Sequence, residues 1–173
     1  SGYGAMPILT GNARVAGVSG WPVNLSRSPR LHGFWLERHK IDGVYIPLPI
    51  PPGQYATAIK GLVTAGLVGC NVTQPHKLAA FEVCDTVDES ARRAGAVNTL
   101  CFRDGHITGY NTDGMGFVGN LRAHGVDPAA GPALLLGAGG AARAIAAALQ
   151  GIDVPVTIAN RTRERAEALA KDL

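Results

Sequence analysis

The sequence predicts an α/β protein, and three observations carry that expectation. Strand-like and helix-like runs alternate along most of the chain, the pattern of mostly parallel strands joined by helices. Apolar residues make up 46% of the 173, enough to bury a core, and charged residues at 17% are too sparse for a disordered chain. The character also changes near residue 113. Before it the elements are irregular and rich in polar loop residues; after residue 131 they run as regular βαβα. Two domains are expected, a mixed-sheet one over 1–113, then a linker helix and the first βαβα part of a second over 114–173.

Each element has a local reason. "ARVAGVSG" reads as a strand ending in a glycine turn. "SPRLHGFWLERHK" reads as a helix with Ser28 as its cap and Pro29 in the first turn, where a missing N–H costs nothing. "GVYIPLPI" is a strand interrupted by prolines, hence an edge or a strand end. "GQYATAIKGLVTAG" is a helix closed by Gly66. "LVGCNV" is a strand, "PHKLAAFEVC" a helix and "DESARRAG" a short helix. "AVNTLCFRDGHITGYN" is a hairpin whose "DG" marks the turn. "DGMGFVGNLRAHG" is a helix, for which Asp113 is a good N-cap. "PALLL" is a buried-type strand, "GGAARAIAAALQG" an alanine-rich helix, "VPVTIAN" a strand and "RERAEALAKDL" a helix.

Composition excludes several functions. No apolar run approaches the roughly 20 residues of a membrane helix. The opening "SGYGAMPILTGNARV" lacks the pattern of a secretory signal and reads in part as a flexible tail. A net charge of +3 is too small and too dispersed for nucleic acid, and the few aromatics offer no stacking platform. Cys70, Cys84 and Cys101 lie singly in apolar segments and read as buried reduced thiols, which fits a cytoplasm. No spacing suits zinc, and no metal is expected.

After residue 131, Gly137, Gly139 and Ala142 form a G-x-G-x-x-A pattern between a strand and a helix. Gly137 permits the tight turn, Gly139 lets a pyrophosphate approach the backbone, and Ala142 keeps helix and strand close. The free N–H groups of the helix start then face the phosphates. The order strand, glycine loop and helix predicts the start of a Rossmann-like dinucleotide domain in preference to a glycine-rich turn with no ligand. An NAD site carries an acid about 20 residues on. Here the next strand ends in Asn160, followed by Arg161, Thr162, Arg163 and Arg165. Guanidinium groups suit a 2′-phosphate, so the cofactor expected is NADP, with Arg161 and Arg165 on that phosphate.

The first domain carries short polar groups at strand ends, where α/β sheets bind ligands: Asn71 and Thr73, Asn98 and Thr99, and Asn111, Thr112 and Asp113. They point to a ligand rich in hydroxyls. Ser26 and Ser28 are spaced to clamp a small oxyanion such as a carboxylate. Lys77 opens a helix, where the dipole disfavours a cation, so its place there asks for a function. His76 reads as a surface residue or as one that supports the site from behind.

In this order, "SRSP", "NVTQPHK", "GAVNTL", "GYNTDG", "GAGGAARA" and "NRTRERA" resemble the shikimate dehydrogenase family, from about Val15 onward. The resemblance implies a substrate domain and an NADP-binding domain with the active site between them. It implies reversible reduction of 3-dehydroshikimate to shikimate with NADPH, in aromatic amino acid and chorismate biosynthesis. Carried over by motif, Ser26 and Ser28 hold the substrate carboxylate, and Asn71, Thr73, Asn98 and Asp113 bind its hydroxyls. Lys77 and Asp113 are the catalytic pair. Lys77 either donates the proton to the C3 oxygen or stabilises charge while water carries protons. Gly137, Gly139, Gly140 and Ala141 line the pyrophosphate, and Asn160, Arg161, Thr162 and Arg165 meet the 2′-phosphate.

Two features depart from the family. Leu25 stands where a histidine is usual, and the chain stops at Leu173, in the second helix of the nucleotide domain. A fragment with little or no turnover is expected, acting on small molecules as a monomer or homodimer, away from membranes. The alternatives are a quinate/shikimate dehydrogenase with relaxed cofactor choice and a non-catalytic shikimate-binding module.

Overall fold

The computed structural model describes residues 8–173. The tail expected at the start of the chain falls in part on residues 1–7, outside the described residues. The elements are β1 (Arg14–Gly20), α1 (Ser28–Arg38), β2 (Gly43–Pro49), α2 (Tyr55–Thr64), β3 (Gly69–Val72), α3 (Lys77–Glu82), β4 (Thr86–Val87), α4 (Glu89–Ala94), β5 (Thr99–Arg103), β6 (His106–Tyr110), α5 (Asp113–Ala123), β7 (Ala133–Leu136), α6 (Gly140–Gln150), β8 (Val156–Ala159) and α7 (Arg163–Asp172).

Two sheets form. The first has the order β2-β1-β3-β5-β6-β4 and the second is the pair β7-β8. The strand carrying prolines, β2, lies at the edge, where a missing N–H breaks no ladder. Strands β2, β1 and β3 run parallel, but β5 is antiparallel to both β3 and β6. The first sheet is therefore mixed: the β5–β6 hairpin interrupts the parallel pairing, which resumes between β6 and β4. The β5–β6 turn at Asp104 and Gly105 has both residues at positive φ, as a two-residue hairpin turn of right-handed strands requires. Strand β4 was not expected. Two residues long, it pairs among the described residues with β6 alone, some 20 positions on, so no local pattern announces it.

The main core lies under the first sheet and includes Ile59, Val72, Ala80, Val97, Leu100 and Ile107. A smaller core joins Val118 of α5 to Leu149 and Val154. The second sheet is covered on one face only. "PALLL" is therefore not a fully buried strand: Leu134 and Leu136 are exposed, Leu136 at 77%, and alternate with half-buried Ala133 and Leu135. The thiols also differ from the expectation of uniform burial. Cys70 is buried, Cys84 is half-buried and Cys101 is exposed, all three reduced. Among the described residues, no helix is long and apolar enough to cross a membrane.

Candidate active site

Strands β3 and β5 and the start of α5 bring the polar residues of the first domain together. Their hydrogen bonds run in one direction. The Tyr45 hydroxyl donates to Asn71 Oδ1 at 2.7 Å, Asn71 Nδ2 to Thr99 Oγ1 at 3.1 Å, and Thr99 to Asn98 Oδ1 at 2.9 Å. Asn98 Nδ2 then donates to Thr112 Oγ1 at 2.8 Å and to Asp113 Oδ1 at 2.9 Å. The Thr112 N–H closes the loop on Asn98 Oδ1 at 3.0 Å. Asn98 is 9% exposed and uses its whole donor and acceptor capacity. The series ends on a carboxylate, which only accepts, so each bond polarises the next toward Asp113.

Lys77 meets Asp113 from the other side, its Nζ donating to Asp113 Oδ2. Side-chain exposures of 16% and 27% leave the pair partly wetted, reachable by a ligand but screened less than a surface ion pair. Lys77 is the first residue of α3, and its carbonyl accepts from the Val97 N–H at 2.9 Å. Asp113 is the first residue of α5, where the dipole favours a carboxylate. It is not the N-cap. Thr112 takes that place, and Asn111 Oδ1 accepts from the Asp113 N–H at 3.0 Å, leaving the Asp113 carboxylate for Lys77 and Asn98.

The serines are also placed differently from the expectation. Arg27 is the N-cap of α1, and Ser28 is its first helical residue. Ser26 supplies the capping-type bond, its Oγ accepting from the Ser28 N–H at 3.3 Å. The Ser28 hydroxyl stands beside the Tyr45 phenol. Burial pushes that phenol up to about 12, the Cys70 sulfur adds to the rise, and Ser28 partly offsets it. Tyr45 thus joins the serine turn to Asn71. Sequence reading missed it, although a tyrosine inside a strand normally finds a partner for its hydroxyl.

His76 is not at the surface. It is 3% exposed, stacks on Tyr55 with ring centroids 4.5 Å apart, and its Nε2 lies 2.6 Å from the Ile50 carbonyl. Tyr55 in turn donates to Ser19 Oγ at 2.9 Å, since the Ser19 proton goes to the Asn71 carbonyl at 3.0 Å. This buried layer underlies the "NVTQPHK" segment. Thr73 is tied into it by its N–H to the Ser19 carbonyl at 2.9 Å.

The glycine turn lies next to Lys77. Gly137 has φ +122°, a conformation that side chains disfavour, and its N–H donates to the Ala159 carbonyl at 2.8 Å. That bond sets the turn beside Asn160, whose Nδ2 donates to the Thr162 carbonyl at 2.8 Å. A β-carbon at Gly139 would meet nothing within 4 Å, so open space faces the backbone there. A cavity of about 190 Å³ adjoins it, lined by Leu78, Ala138, Gly139, Gly140, Arg143 and Arg165. Arg161 and Ala141 are exposed, and Arg165 reaches the cavity, whereas Arg163 is paired with Glu167 at 2.7 Å. Room over a glycine backbone, a helix start and cationic side chains fit an anionic dinucleotide.

Residues 18–100 match the family profile described as shikimate dehydrogenase substrate binding domain, and residues 125–173 match shikimate / quinate 5-dehydrogenase. The chain belongs to the shikimate dehydrogenase family. It is 66% identical over 165 residues to shikimate dehydrogenase (NADP(+)) of Acidiphilium cryptum, covering 95% of this chain and 60% of that protein. It is 55% identical over 170 residues to the same-named protein of Rhodospirillum rubrum, covering 96% and 60%. The crystal structure of shikimate 5-dehydrogenase from Thermus thermophilus with NADP(H) and shikimate superposes with a TM-score of 0.85 at 42% identity, over 92% of this chain and 60% of that one. The chain thus spans about 60% of the length of the shikimate dehydrogenases it matches.

Proposed function

We propose that the chain forms the substrate site and the first part of the NADP site of a shikimate dehydrogenase, which reversibly reduces 3-dehydroshikimate to shikimate. The observation that carries this reading is the Lys77–Asp113 pair, set at the end of a directed series of hydrogen bonds and next to a glycine turn. NADP, when bound, supplies or accepts the hydride at the substrate carbonyl carbon.

The chain's own residues do the rest. Asp113 holds one N–H of the Lys77 ammonium, and the other two remain for a substrate oxygen. In reduction, an N–H bond of Lys77 breaks as an O–H bond forms at the C3 oxygen, and Asp113 steadies the group that gives up the proton. Asn71 and Thr73 present polar groups in fixed directions to the ring hydroxyls, Asn98, whose own groups are all engaged, holds Thr99, Thr112 and Asp113 in place beside them, and Ser26 and Ser28 meet the carboxylate. Gly137, Gly139, Gly140 and Ala141 receive the pyrophosphate. Asn160, Arg161, Thr162 and Arg165 receive the 2′-phosphate. We place the division between the substrate part and the nucleotide part at 113/114, so that the two members of the pair belong to the first. The reduced thiols fit a cytoplasmic protein.

Calorimetry on the 173-residue chain tests the reading. Shikimate and NADP are each expected to bind, with NAD weaker than NADP. Absence of shikimate binding would sink it. Turnover is tested in a protein that carries this chain together with the further length of its relatives, where Lys77→Ala is expected to lower kcat with little change in KM.

A further inference from the structure

Gly140 is the residue of the turn that the G-x-G-x-x-A pattern does not explain. The pattern needs Gly137, Gly139 and Ala142. Gly140 is the first residue of α6, where alanine is the better helix former. Its surroundings give the reason for a glycine. A β-carbon at Gly140 would lie 3.1 Å from Lys77 Cβ and 3.2 Å from Lys77 Cδ. Ordinary carbon contacts are roughly 3.5–4.0 Å.

The lysine has little freedom to give way. Its carbonyl accepts from the Val97 N–H at 2.9 Å, and its ammonium is bound to Asp113. The stem between these anchors lies against Gly140. The next residue, Leu78, lines the cavity above the same turn. We propose that Gly140 is a positioning residue for Lys77: the bare backbone lets the dinucleotide turn close on the lysine stem, so the segment that holds the cofactor also sets where the ammonium stands. This rests on the reading of Lys77 and Asp113 as the catalytic pair, and it gives the second glycine of "GG" a role toward the substrate.

The test compares the isotopically labelled 173-residue chain with Gly140→Ala and, as a control, Gly119→Ala on the exposed side of α5, where a β-carbon meets nothing within 4 Å. Gly140→Ala is expected to shift the Lys77 ε-methylene NMR signals and to weaken shikimate binding roughly tenfold, the scale of a sub-ångström misplacement in a site. Gly119→Ala is expected to do neither. Lys77 signals that coincide with those of the unsubstituted chain, with affinity within about twofold, overturn the proposal. Should shikimate fail to bind the unsubstituted chain, the functional reading falls and the Lys77 signals alone decide this one. If Gly140→Ala does not fold, the nuclear Overhauser contact between the Gly140 α-protons and the Lys77 stem decides: its presence supports the proposal and its absence overturns it.

Discussion

The polar series of the first sheet and the glycine turn of the second, the two parts of the proposed site, are held in opposite ways. From Tyr45 to Asp113 every side chain is held by a neighbour, and Asn98 has no capacity to spare. At the turn the space over Gly139 is open, Arg161 stands in solvent, and the backbone does the shaping. A hydroxylated ring offers donors and acceptors in fixed directions, so its readers must be fixed in advance, or ordering them weakens binding. A phosphate attracts cations from any direction, so exposed guanidinium groups serve it well. Lys77 belongs to both regions, with its head in the first and its stem against the second.

The largest effect is expected where the series ends. Asp113→Ala removes the acceptor of both Lys77 and Asn98, and shikimate affinity is expected to fall by about 2–3 kcal/mol, roughly 30- to 150-fold by calorimetry. A loss below about threefold would mean that the pair is not a ligand-binding feature.

Asn98→Ala comes next and probes pre-organisation itself. It strips partners from Thr99, Thr112 and Asp113, and a stability loss of about 2 kcal/mol is expected, seen as a Tm lower by several degrees. No exposed arginine of the turn region should behave so. Arg161→Ala is expected to leave Tm unchanged while reducing the preference for NADP over NAD about tenfold, more at low salt than at high. An unchanged preference would count against a 2′-phosphate contact.

The smallest effect is a slope in pH. The Tyr45 phenol is raised from 10 to about 12, chiefly by burial. The folded protein holds this proton more tightly than the unfolded chain, so the contribution is complete below pH 10 and is lost as pH rises toward about 12. Cys70, raised by burial from 9 to about 11, adds the same sign between those values. Denaturant unfolding of Tyr45→Phe is expected to show a shallower fall of stability above pH 10. An unaltered slope would place Tyr45 outside the buried end of the series.

Legibility followed the range of the forces involved. The β5–β6 hairpin was readable because Asp104-Gly105 is a local turn signal, and the edge position of β2 because its prolines cannot donate. Strand β4 was not, because its partner β6 is remote in sequence. Cys101 was misread as buried although the period of two settles it: Leu100 enters the core, so its neighbour faces out. His76 reads equally as a surface residue or as a support behind the site, because nothing in "PHK" reveals that Ile50 and Tyr55 lie beneath it.

The amino-acid order alone determined the alternation of elements, the glycine turn with the basic run that follows its successor strand, and the family, since each rests on residue types at short and fixed spacings. Only the folded chain decided which way the amides and hydroxyls are hydrogen-bonded, that Thr112 and not Asp113 occupies the cap, and that Lys77 leans on Gly140. Those outcomes depend on distances between segments tens of residues apart, and such distances are set by how sheets and helices settle against one another.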